Sequence, residues 1–344
     1  MEHNMDDKTV NDTHEISYPE LLNVSPSPHM KSPDSTCAIM LRVIIALIPA
    51  AVWGVYRFGI RAAAILILTT ASAVLFEFLY QKIMHKRLSV GDFSAALTGL
   101  LIGMNLPSTA PLWLGVVGSF FAIIVVKALF GGLGRNIVNP ALAARVFMSA
   151  WPGEMGTFAR SGVRINDLAV NLANTDAIAG ATPLASIDSG ISPDGVTVFD
   201  LVLGRTGGCI GEVSAVLLIL GGIYLLYTKV ITWHIPVSFI GTAAVMFALF
   251  PMGGADRMSY MLYSIFSGGL LLGAIFMATD YVTSPVSPAG QLVYGAGCGL
   301  ITVFIRYFGG YPEGVSFAIL IMNLLSHYID KAFAPRHFGG KANG

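Results

Sequence analysis

The sequence predicts an all-α polytopic membrane protein, with about ten transmembrane helices in two inverted five-helix halves and an extramembrane insert between them. Three observations carry this. Hydrophobic residues make up 54% and charged residues 12% of the 344-residue chain, about half the charge of a soluble domain, and the mean hydropathy is +0.69. Ten apolar segments approach the ~20 residues that cross a bilayer. One long polar stretch, 152–210, divides them five and five.

Residues 1–36 are polar and lack the basic-then-apolar order of a cleaved signal peptide, so they read as a solvated cytoplasmic tail. The first half, 37–151, holds apolar segments at 37–57, 60–82, 92–107, 111–130 and 135–151. The third and fifth are short, and are broken by Asn105 and Pro107 and by Asn139 and Pro140. Broken helices persist in lipid only where protein or a cavity re-satisfies the freed backbone groups. The stretch 152–210 is too long for a tight connection and reads as an insert. The second half, 211–332, holds segments at 211–228, 231–250, 260–281, 290–308 and 314–332, and 333–344 forms a second cytoplasmic tail.

The halves share short matches. Phe130-Gly131-Gly132 opens the fifth segment as Phe308-Gly309-Gly310 opens the tenth, and Leu100 to Gly103 matches Leu270 to Gly273. An odd number of spans per half makes the repeats inverted, a transporter-like plan with sites at the repeat interface. With both termini inside, eleven Lys and Arg fall on inner segments, Lys127 and all other lysines included. Seven Arg, Arg61 and Arg306 included, fall on outer segments. That bias puts the insert on the outer face.

Net charge is zero and no basic patch stands out, which excludes nucleic-acid binding. Cys37, Cys209 and Cys298 are far apart with no CxxC, which argues against an iron–sulfur or zinc site within the chain. Redox chemistry here needs an organic cofactor.

Four places draw attention. In Asp176-Ala-Ile-Ala-Gly-Ala-Thr182-Pro183, Thr182 with a following Pro is also an ordinary helix start. Gly131 to Arg145 carries Gly131, Gly132 and Gly134, which allow close backbone approach, and Asn136 and Asn139, which are costly in lipid unless partnered. Helix packing and a polar cofactor cleft both fit it. Gly207 to Glu212 enters the sixth segment, with Gly208 a candidate cofactor-binding residue; Glu212 suits a first helical turn and could also meet a cation. Asp280 ends the eighth segment, as a solvated helix end or as an intramembrane acid of the ion path. Glu77 and Lys127 lie near helix ends, could pair or snorkel, and are not assigned as sites. From pattern alone, a small-solute channel or permease of inverted-repeat architecture is the first choice, and a redox-silent scaffold is another.

Taken together these segments resemble one family. Asp176 to Thr182 is similar to the Asp-x-x-Ser/Thr-Gly-Ala-Thr motif at which a flavin transferase joins FMN, through its phosphate, to a threonine hydroxyl. Ser27-Pro28-His29, Gly132 to Arg145, Asp200 to Gly204, Gly207 to Glu212 and Met277-Ala-Thr-Asp280 resemble, in order, the D subunit of the Rnf complex, the ion-translocating ferredoxin:NAD oxidoreductase. The B subunit of the sodium-pumping NADH:quinone reductase is its homologue. The resemblance covers about residues 27–332, with Ala179 where the motif has Ser or Thr. It implies covalent FMN on Thr182 within Asp176, Gly180 and Ala181, and a second, non-covalent flavin, riboflavin. The cleft between the third, fifth, eighth and tenth helices is where that second flavin is expected. It also implies a bacterial cytoplasmic membrane, other Rnf subunits as partners, a flavin transferase acting in maturation, and export of Na⁺ or H⁺ driven by electron flow from ferredoxin to NAD.

Overall fold

The computed structural model describes residues 35–86, 88–159, 165, 197–252, 256–309 and 314–333, and nearly all of them are helical or in the turns between helices. α1 (Thr36–Phe58) and α2 (Ile60–Ile83) are long and apolar, and only Gly59 separates them. Its φ of 90° makes a turn that a side chain would strain. α3 (Ser94–Met104) ends before Asn105, and α4 (Leu112–Ala128) begins after Pro111. The last part of α4, Phe121–Ala128, is a π-helix, continued by Leu129 N donating to Ile124 O at 3.0 Å and Gly132 N to Lys127 O at 2.9 Å.

α5 (Pro140–Met148) starts at the point where the sequence suggests a break. Asn139 is its N-cap: Oδ1 accepts from Ala141 N at 3.0 Å and Leu142 N at 3.4 Å, and Pro140 takes the first helical position, where no N–H is needed. Residues 135–138, expected to be helical, belong to the preceding turn. There Gly131, Gly132 and Gly134 have φ of 113°, 95° and 86°. A Cβ on Gly132 or Gly134 would meet open space, so these two supply backbone conformation rather than close approach.

The second half contains α6 (Ala215–Tyr227), α7 (His234–Leu249), α8a (Arg257–Phe266), α8b (Leu270–Met277), α9 (Pro288–Phe308) and α10 (Val315–Ala332). The eighth segment, expected as one helix, bends by 62° between α8a and α8b. Ser267-Gly268-Gly269 makes the break, and α8b ends in a second π-helical turn over Gly273–Met277. Glu212 lies ahead of α6 rather than in its first turn, because the Ser214 side chain caps the helix by accepting from Leu217 N. Among the described residues, α1, α2 and α9 are each long and apolar enough to cross a membrane, and α8a with α8b makes a fourth; α3, α4, α6 and α7 are apolar but shorter.

Two buried arginines tie down the broken segments. Arg61 donates to Ser108 O at 3.1 Å, Thr109 O at 3.4 Å and Ala110 O at 3.0 Å, which are carbonyls freed between α3 and α4. Arg306 donates to Ser264 O at 2.6 Å and Ser267 O at 3.4 Å at the α8 bend. Both are 4% exposed and Lys127 is 3% exposed, so none of the three is a loop charge. Without them the inner-to-outer count is ten against five.

Close packing runs through small residues. A Cβ on Gly295 or Gly299 of α9 would stand 2.7 Å from Ile235 O or Phe239 O of α7, the geometry of a Gly-x-x-x-Gly contact. The halves are joined by backbone bonds. Ile210 N donates to Leu106 O at 3.0 Å and Gly211 N to Met104 O at 2.8 Å, around an antiparallel bridge between Pro107 and Cys209. Of the insert, the described parts include two short helices, Pro152–Met155 and Val198–Leu203. Asp176, Ala179, Gly180, Ala181 and Thr182 lie outside the described residues.

Candidate functional site

The broken segments converge on one cleft. Ser94, Leu97, Thr98 and Leu101 of α3 line it, with Lys127 of α4, Asn136, Asn139 and Ala141 around the start of α5, and Phe276, Thr279 and Asp280 at and after the end of α8b. Ile39 and Val43 of α1 and Leu225 of α6 complete an apolar wall. The third, fifth and eighth segments thus contribute lining residues. Among the described residues α10 supplies no lining residue, and α1, α4 and α6 do.

Asn139 holds the two halves at this point: its Nδ2 donates to Met277 O at 3.1 Å across the boundary. The amide of Asn323 in α10, turned to suit its neighbours, accepts from Asn139 N at 3.1 Å and donates to Tyr294 Oη at 2.6 Å. With its oxygen already capping α5, Asn139 shapes the cleft more than it offers groups to a ligand. Asn136, 6% exposed, spends one amide hydrogen on Val138 O at 3.2 Å. Asp280 is half-buried, accepts from Thr283 Oγ1 at 3.1 Å, and faces the cleft.

Lys127, which the sequence allows to pair with Glu77 but does not assign as a site, lines the cleft. Its Nζ donates to Glu77 Oε1 of α2 at 2.7 Å and to Ser94 Oγ at 2.6 Å. Ser94 Oγ in turn donates to Asp92 Oδ1 at 2.6 Å, and Asp92 is half-buried. The available signal is one cation and one anion set inside otherwise apolar helices, since such charges are costly in a membrane and pair where they occur.

Glu212 and Gly208 lie apart from this cleft. Glu212, 7% exposed, packs beside Gly269, where a Cβ would stand 2.5 Å from its Oε1; the charges of Arg145 and Arg306 attract it. Arg145 donates to Asn105 O and lies 3.6 Å from Cys209 Sγ. Gly208 is half-buried, and a Cβ there would meet nothing, so no close approach demands glycine.

Apolar helices, broken where polar side chains turn inward, define a multi-pass membrane protein with a buried polar site. Comparison with known proteins specifies it further. Residues 23–339 match the sequence model described as NQR2, RnfD, RnfE family, and the chain belongs to this family. It is 46% identical over 321 residues to the D subunit of the Na(+)-translocating ferredoxin:NAD(+) oxidoreductase complex of Acetobacterium woodii, covering 92% of this chain and 95% of that one. It is 40% identical to the D subunit of the proton-translocating ferredoxin:NAD(+) oxidoreductase complex of Clostridium ljungdahlii (93% and 96% covered). It is 39% identical to the D subunit of the ion-translocating oxidoreductase complex of Stutzerimonas stutzeri (89% and 93% covered).

Proposed function

We propose that this chain is the flavoprotein membrane subunit of an ion-translocating ferredoxin:NAD oxidoreductase, relaying electrons through FMN on Thr182 and through riboflavin in the cleft. The reading takes the ten segments as ten spans in two inverted halves, with both termini cytoplasmic and the insert outside. The observation that carries it is the family membership over nearly the whole chain together with the cleft at the junction of the halves. The donor set suits a planar heteroaromatic ring: apolar walls from Ile39, Leu97 and Phe276 for its faces, and Lys127, Thr98, Asn136 and Asp280 for its polar edge. A bound flavin supplies the redox chemistry, and the protein supplies position and electrostatics.

Asp280 and Glu212 are assigned to the ion path, as half-buried and buried acids at helix boundaries, the first just after α8b and the second just ahead of α6. Moving one charge against 100 mV requires about 2.3 kcal/mol, and a two-electron drop of roughly 50 mV supplies as much. The relatives' names divide between Na⁺ and protons, so the ion is left as either. The test is a denaturing gel of the chain co-produced with a flavin transferase. Wild type is expected to show flavin fluorescence and Thr182→Ala none. A dark wild-type band would refute the FMN assignment. Acid extraction of the intact complex should release riboflavin, and its absence would refute the second flavin.

A further inference from the structure

Resting on the assignment of a flavin to the cleft, we infer that Lys127 is the charged contact the cleft presents to that flavin, that Glu77 is its positioning residue, and that the pair sets how readily the flavin is reduced. The geometry of the pair carries this. Lys127 and Ser94 line the cleft and Glu77 does not, so the lysine of the pair borders the ligand space and the carboxylate stands behind it. The side chains are 4% and 7% exposed, so water and salt screen their field little. Among the described lining residues Lys127 is the one cation and Asp280 the one acid.

Lys127 sits in the π-helical stretch of α4, a local departure from α-geometry that is often found at functional sites. Glu77 reaches the rest of the Lys127–Ser94–Asp92 network through Oε1 alone, and its Oε2 has no hydrogen-bond partner. A buried ion pair gives about the same stability as a well-packed apolar pair, so cohesion alone is a weak reason for it. Reduction adds negative charge to the ligand. The positive end of the pair therefore favours the reduced form and raises its midpoint potential.

The test uses the purified complex, with acid-extractable flavin quantified and the same flavin titrated spectroelectrochemically. The double variant Lys127→Met/Glu77→Leu removes both charges without leaving a bare carboxylate, and the midpoint potential is expected to fall. Glu77→Gln keeps the lysine's hydrogen-bond partner but removes its counter-charge, and the potential is expected to rise. Shifts of opposite sign are something a purely structural pair does not produce. Unchanged potentials in both variants with flavin content intact would overturn the inference, as would equal loss of flavin from both. A wild-type complex without extractable flavin would instead remove the assignment on which it rests.

Discussion

Arg61 and Arg306 each do with one guanidinium what an unbroken helix does with its own N–H groups. A carbonyl freed at a helix break has no water to bind in hydrocarbon, and each orphaned group costs about 1–3 kcal/mol. Arg61 serves three carbonyls and Arg306 two. Arg61→Met is therefore expected to destabilise the chain by about 3 kcal/mol or more, read as a lower melting temperature of the purified complex in detergent. Arg306→Met should act in the same direction and less strongly. A loss no larger than that of an exposed arginine, such as Arg205→Met, would contradict this. These partnerships, like Lys127 with Glu77, join residues 39 to 50 positions apart. The sequence shows Arg61 and Arg306 but not their carbonyl partners, and it allows Glu77 and Lys127 to pair only as helix-end charges, although the fold buries all four.

At the scale of elements, what could be read was what local chemistry dictates. Each of the ten apolar segments contains a helix, and Asn139-Pro140 is a cap signal visible in the sequence. Its meaning is reversed in the fold, because the pair begins a helix instead of interrupting one. The α8 bend has its own signal in Ser267-Gly268-Gly269, masked by the apolar residues on both sides. Packing predicts a second outcome. Gly299→Leu on α9 places a side chain against Phe239 O and is expected to force α7 and α9 apart, lowering the yield of folded complex on size exclusion, whereas Gly241→Ala in α7, where a Cβ meets open space, should be tolerated.

The short helix Val198–Leu203 gives a pH prediction. The Thr197 hydroxyl and backbone N–H bond Asp200 and hold its carboxyl below the ordinary range, with Arg205 adding a weaker pull. A depressed folded value means that the capping contribution is fully present above the unfolded carboxylate range and is lost as pH falls through the folded value. The stability difference between wild type and Thr197→Ala, measured by thermal melts, should be clear at pH 7 and shrink at acid pH below about 4. A difference that grows on acidification would run against this capping box.

At the scale of the whole molecule, the proposed orientation can be read from the native cysteines. Cys209 and Cys298 are fully buried, and Cys37 is half-buried at the start of α1, beside the N-terminal tail. A membrane-impermeant maleimide is expected to label Cys37 in inverted vesicles and none of the three in right-side-out vesicles; the reverse pattern would turn the protein over. Bilayer thickness sets a length that composition shows, and among the described residues α1, α2, α9 and the bent α8a–α8b pair reach it. The cleft was only partly legible, since its walls come from six helical segments and no local pattern records which faces meet.

The seam between the halves has a consequence for how an ion could cross. Carriers that alternate by tilting one repeat against the other need a boundary that slides. Here Leu106 with Ile210, Met104 with Gly211, and Met277 with Asn139 are clasped by hydrogen bonds to main-chain oxygens in a setting without bulk water to replace them. Each tilt would break all three. A crosslink spanning the seam, for instance between a cysteine placed at 107 and the native Cys209 opposite it, should therefore leave turnover intact.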